Sequence, residues 1–317
     1  MRGFLFPAEV VQFWRNDPMV DRMPFRARIF AAVLALLALP ALAALAPPER
    51  SRGDGAQLRA RYEQVRPRLE KSAYGRPLAL DSREMNKALE GDAYAIVSRP
   101  FGKVDSALAP AGNWCELLML PFNTKHCTAS ADGSRLALFV GRKNDTPIEH
   151  AYKLDFDYRV VARTPDYLQV VLTADSGPLG TRDYRIVLEL APVDPQRTFL
   201  HLSYSYAYGA ISKVAMQAYL STIGARKVGF SLVDGQPVRG MRGIMERNTM
   251  RYYLAVDAYL ASLEIPEGTR VAKRLNDWYS AQASYPVQLD EDVTRADYLA
   301  MKQKEYARVA AARDSSG

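Results

Sequence analysis

The sequence predicts an α+β fold: a curved antiparallel sheet gripping a long C-terminal helix, with extra helices at both ends. Three observations predict it. Between Arg135 and Tyr208 the apolar residues recur with a period of two, in five runs separated by turn formers. Between Gly243 and Leu263 the period changes to about 100° per residue, which is a helix long enough to cross a sheet. Upstream, Gly91 to Cys127 reads as a short strand, a stop and a short helix. At 317 residues, 48% hydrophobic and 24% charged, the chain suits one domain of about 200 residues with appendages.

The first 43 residues read as an export signal region. Arg26 and Arg28 precede an apolar run from Ile29 to Leu39, followed by Pro40 and the small-residue sites Ala41-Leu42-Ala43 and Ala44-Leu45-Ala46. Cleavage after Ala43 avoids a proline directly after the cut, and Met23 competes with Met1 as the start. An uncleaved membrane anchor is the alternative, because Ile29 to Ala46 is uncharged and at the lower limit of a bilayer span. Either way the remainder leaves the cytoplasm, which implies a bacterial periplasm. The net charge of +7 falls to +5 without the first 43 residues, which suits contact with a membrane surface; no nucleic-acid motif is present.

Residues 44–77 read as a linker followed by a charged helix from Gln57 to Lys71, with Leu58, Tyr62, Val65 and Leu69 as its apolar stripe and Pro67 as a kink or break. Leu78–Glu84 and Ala93–Ser98 pair as a first hairpin with Gly91-Asp92 near its turn, and Pro100 stops the second strand. Val104, Ala107 and Leu108 then mark a helix, which Pro110, Gly112 and Asn113 break before the cluster from Trp114 to Leu120. Cys115 and Cys127 are the only cysteines, and in an exported chain a close pair is most simply one disulfide; two reduced core thiols are the alternative.

The strands of the meander are Arg135–Arg142, Tyr152–Ala162, Tyr167–Ala174, Arg182–Ala191 and Thr198–Tyr208. In the second of these, Tyr152, Leu154, Phe156, Tyr158 and Val160 face one way against charged residues, so one side of the sheet is wet and the other covers a core or a cavity. Ile211–Ile223 reads as a helix ending at Gly224, and Lys227–Val233 as a further strand. The long helix carries a stripe of Met245, Asn248, Thr249, Tyr252, Ala255, Val256, Tyr259 and Leu263, opposed by Glu246, Met250 and Asp257. Thr269–Ala283 and Thr294–Ala311 are two more charged helices, the last opening on a capping box of Thr294 and Asp297.

A strand ending in an apolar, proline, aromatic step at Val97 to Phe101, then a short helix, then Trp114, resembles the opening of the START-like superfamily, the helix-grip fold of polyketide cyclases and lipid-transfer proteins. The resemblance covers about residues 78–263. It implies a ligand-binding domain there, flanked by the helical extension at 264–317. It does not choose between carriers and enzymes, since the family includes both.

The residues favour binding. Tyr204 and Tyr206 share a strand face with Leu200 and Leu202, Tyr184 shares one with Ile186 and Leu188, and Tyr158 lies on a third, so tyrosines line the presumed interior with rings and hydroxyls. Asn248 and Tyr252 lie in the helix stripe, and Arg251 flanks it; a buried Asn must find partners or cost a few kcal/mol. The same tyrosines also suit a solid core, and Asn248 a tether to a neighbouring element. His201, beside Ser203, is the candidate general base, without an evident acidic orienter. The expectation is an exported protein that sequesters or carries a hydrophobic or amphipathic small molecule, a lipid above all, with no cofactor and no metal. A START-like enzyme of the cyclase or hydrolase kind and an envelope scaffold binding a protein partner are the alternatives.

Overall fold

The computed structural model describes residues 54–85, 87–222, 225–289 and 293–314. The export signal region, Met23 and Gly224 lie outside the described residues. Helix α1 (Gly55–Glu70) precedes strands β1 (Leu78–Met85) and β2 (Ala88–Val97), and α2 (Phe101–Leu108) and α3 (Ala111–Leu118) follow. Strands β3 (Thr124–Ala129), β4 (Arg135–Val140), β5 (Tyr152–Thr164), β6 (Tyr167–Ser176), β7 (Arg182–Asp194) and β8 (Arg197–Ala207) form the meander. All eight strands make one antiparallel sheet in the order β1-β2-β8-β7-β6-β5-β4-β3. Helix α4 (Ala210–Leu220), the small hairpin β9 (Leu232–Val233) and β10 (Gln236–Pro237), the long α5 (Gly240–Ser262), α6 (Glu267–Ala283), α7 (Pro286–Leu289) and α8 (Arg295–Asp314) complete the described chain.

This is the START-like helix-grip architecture: a helix pair after an early strand, a meander, and a long helix against the sheet's concave face. The first hairpin turns between Met85 and Ala88, so Gly91-Asp92 is mid-strand and not near the turn. Its glycine has another use. A Cβ at Gly91 would come within 2.2 Å of Thr249 Oγ1 and 2.8 Å of Met245 Cγ, so the absent side chain is what lets α5 lie on β2. Strand β3, which the periodicity does not announce, pairs with β4 at the far edge.

Helix α5 buries Glu246 and Met250, which oppose the stripe, as well as most of the stripe itself, while the third opposing residue, Asp257, stays partly exposed and pairs with Arg76. That burial arises because α6 and the 228–231 segment cover the opposing face. Phe230 N and Ser231 N donate to Glu246 Oε2 at 2.7 and 2.8 Å, and Ser82 Oγ donates to Oε1 at 2.6 Å, so the carboxylate is buried but served. Trp278 of α6 donates from Nε1 to Arg251 O at 3.2 Å, and Phe122 packs edge-on against both Trp278 and Tyr298, so the C-terminal helices share the main core. Helix α8 is anchored by a buried cluster. Glu305 accepts from Lys125 Nζ at 2.9 Å and from Lys302 Nζ at 2.7 Å, and all three side chains are fully buried.

Cys115 of α3 and Cys127 of β3 form a disulfide. Helix α1 lies on the convex face, where Leu58, Val65 and Leu69 pack with Tyr94, Tyr167 and Phe199, and Pro67 sits inside one continuous helix. Thr294 caps α8, accepting from Asp297 N at 3.1 Å. Among the described residues no helix is long and apolar enough to cross a membrane.

Candidate functional site

Period-two alternation on β5, β7 and β8 sends every second side chain to the concave face, and α5 closes over them. Tyr184, Tyr204 and Tyr206 meet there, Tyr184 and Tyr206 with ring centroids 5.4 Å apart, and Tyr252 of α5 meets Tyr204 at 5.1 Å. Four of the tyrosines named from sequence are therefore treated differently by the fold. Tyr184, Tyr204 and Tyr252 border one enclosed space, together with Leu154, Phe156, Leu118 and Asn123, and Tyr206 backs them. The space is small, with about 20 Å³ of room, which suits one water.

Hydroxyl groups already have partners, and those of Tyr204 and Tyr252 hydrogen-bond each other. Tyr184 Oη is 2.7 Å from Thr181 Oγ1, and Tyr158 Oη donates to Ala109 O at 2.8 Å while its ring packs on Trp114. Tyr158 thus ties the sheet to the α2–α3 turn and does not border the space. Burial pushes the Tyr252 hydroxyl up to about 12 and holds Tyr204 far above the ordinary range, so both stay neutral donors at physiological pH.

Asn248 and Arg251 turn toward α6. Arg251 Nε donates to Gln282 Oε1 at 3.0 Å and its Nη1 to Asn248 Oδ1 at 3.4 Å, so the two are joined to each other and to α6, apart from the tyrosines. Asn248 Nδ2 is buried without a partner. Asn123, which the sequence pattern does not flag, is 3% exposed, and its Oδ1 has no partner where it borders the space. No periodic signal marks it, because it sits in the loop after α3.

His201 lies on the opposite, convex face. Its Nδ1 is 2.8 Å from Glu189 Oε2 and its Nε2 is 2.9 Å from Asp92 Oδ1, and the ring stacks on Tyr94 at 4.7 Å. Two acidic orienters exist where the linear sequence shows none, because register places Tyr94, His201 and Glu189 in one row. Burial alone would lower the imidazole, but the two carboxylates outweigh it and raise it to about 9. Both ring nitrogens therefore donate. His201 is a cation at neutral pH and not the general base that its place beside Ser203 suggests. Among the described residues no group of three or more His, Cys, Asp or Glu is placed to hold a metal.

No protein-family model matches this chain, and no curated protein matches it. Among solved structures it is similar to a conserved protein from Geobacillus kaustophilus at 12% identity, covering 54% of this chain and 95% of that one with a TM-score of 0.34. It is similar to a START superfamily protein from Mycobacterium smegmatis at 14% identity, over 43% of this chain and 92% of that one, with a TM-score of 0.29. A norcoclaurine synthase point mutant from Thalictrum flavum is 12% identical over 55% of this chain and 98% of that one, with a TM-score of 0.32. The fold assignment rests on the strand order and helix placement described above.

Proposed function

We propose that this chain is an exported carrier that sequesters a hydrophobic or amphipathic small molecule, a lipid first among the candidates, between the concave sheet and α5. The observation that carries the reading is the tyrosine-lined space bordered by the unpartnered Asn123 Oδ1. A buried acceptor without a donor costs on the order of 1–3 kcal/mol, and a ligand hydroxyl or amide would recover it. The neutral Tyr204 and Tyr252 would meet the rest of the polar end, and Leu154 and Phe156 the apolar part. With room for about one water in the closed form, uptake requires the grip to open. We place the gate in α4 and the β9–β10 hairpin, where Val214, Leu232 and Val233 are exposed and suited to touch a membrane during transfer. The disulfide fits an oxidising compartment such as the periplasm.

Native mass spectrometry of the protein taken from its host envelope without detergent tests this. An adduct in the lipid mass range, depleted in a folded Tyr252→Ala variant, is the expected result. A clean apo mass after incubation with host lipid extract would overturn it. That outcome would favour a scaffold for a protein partner, the reading to which the nearly filled interior lends support.

A further inference from the structure

A second cavity lies outside the grip. It is an open cleft of about 650 Å³ between the first turn of α2, the last turn of α5 and the start of α6. Arg99, Lys103 and Arg270 line it, with Glu264 as the one carboxylate, so the lining carries a net charge of +2. Ala107, Tyr259, Leu260 and Leu263 add an apolar floor.

The cations are weakly committed. Lys103 is exposed, its ammonium has no hydrogen-bond or ion-pair partner among the described residues, and it stands in the first turn of α2, where the positive end of the helix disfavours a cation. That turn has no acidic residue and no side-chain cap. Arg270 spends two of its five donors, Nε on Ile265 O at 3.0 Å and Nη2 on Leu263 O at 3.4 Å. Arg99 pairs with Glu264 at 3.3 Å, but Glu264 is 63% exposed, so the pair is a solvated one that an anion can displace. Cations gathered at an uncapped helix start are unfavourable without an anion and well placed with one.

We propose that this cleft binds the phosphomonoester end of an amphiphile. A phosphomonoester carries close to two negative charges at neutral pH, matching the lining, and the cleft is far larger than a bare phosphate needs. Arg99 and Arg270 clamp the phosphate oxygens, Lys103 supplies the third charge, and the floor from Tyr259 to Leu263 takes the apolar group.

The test is calorimetric titration of the full chain with dioctanoyl phosphatidic acid, dioctanoyl phosphatidylcholine and inorganic phosphate. Phosphatidic acid is expected to bind at least tenfold more tightly than either of the others. Lys103→Glu, and Ser106→Trp at an exposed cleft position, should each weaken it at least tenfold. No binding, or unchanged affinity in Lys103→Glu, overturns the proposal. Equal affinity for inorganic phosphate overturns the amphiphile part of it. Loss in Tyr252→Leu with Lys103→Glu unaffected would move the ligand into the grip, refuting the cleft and leaving the carrier reading intact.

Discussion

His201 stands between two carboxylates, and only the imidazolium satisfies both, since each ring nitrogen must donate. Arg83, which is ion-paired to Glu90 and 3.9 Å from Asp92, adds a second cation near the same carboxylates. Folding raises the imidazole from 6.5 to about 9, which corresponds to roughly 3 kcal/mol at most. Because the folded state holds the proton more tightly, that stability is fully present below pH 6.5 and is lost as pH rises through 9. The carboxylates behave oppositely: burial would raise Asp92 and Glu189, but their bonds to His201 hold them low, so their share is lost only in acid. Urea midpoints of the wild type should therefore fall between pH 6 and pH 9, while His201→Gln starts lower at pH 6 and changes little; parallel curves would refute the ion-pair account. At this scale the sequence was informative about faces and silent about neighbours. Alternation assigns His201 and Tyr204 to opposite sides, but Asp92 is 109 residues away, and nothing local announces it.

Among the elements, α5 is legible in length and in the Met245, Thr249, Tyr252 face, whereas the burial of Glu246 and Met250 on its other side is not. An apolar stripe shows which face packs; it does not show that a second layer will bury Glu246 as well, because a served carboxylate looks in sequence like a solvated one. Strand β3 was missed for a related reason, since Lys125 and His126 disguise a buried stretch. Helix α8 explains Lys125. The buried Lys125–Glu305–Lys302 cluster is the element's main polar attachment, with Lys302 Nζ also donating to Thr124 O at 2.7 Å along the sheet edge. Glu305→Gln leaves two buried ammonium groups without a counter-charge and should cost on the order of 3–5 kcal/mol. Limited proteolysis is expected to remove the last helix from this variant first. Wild-type resistance and an unchanged urea midpoint would show that apolar packing alone holds α8.

For the whole molecule, the fold class could be read from the two periods, but the strand order could not. Alternation fixes what each strand buries, whereas pairing β2 with β8 depends on which faces fit around α5. Gly91 is the clearest case: as a sequence it reads as a turn former, and in the fold it is a point where α5 lies too close to β2 for any side chain. The Cys115–Cys127 bond, with a separation of 12 residues, links the α2–α3 layer to the far edge of the sheet. Replacing both cysteines with alanine should cost about 3 kcal/mol and lower the calorimetric midpoint by roughly 10 °C; a midpoint within a degree of wild type would mean that the layer is held by packing. The β2–β8 pairing has a consequence in time as well as in space. Five strands must be laid down between the first half of that ladder and the second, so the early hairpin waits, with its long apolar strand unpaired on one side, until most of the chain exists. Such non-local closure places folding in the slow, millisecond-to-second regime. A chain built this way is exposed to misassembly during synthesis rather than afterwards.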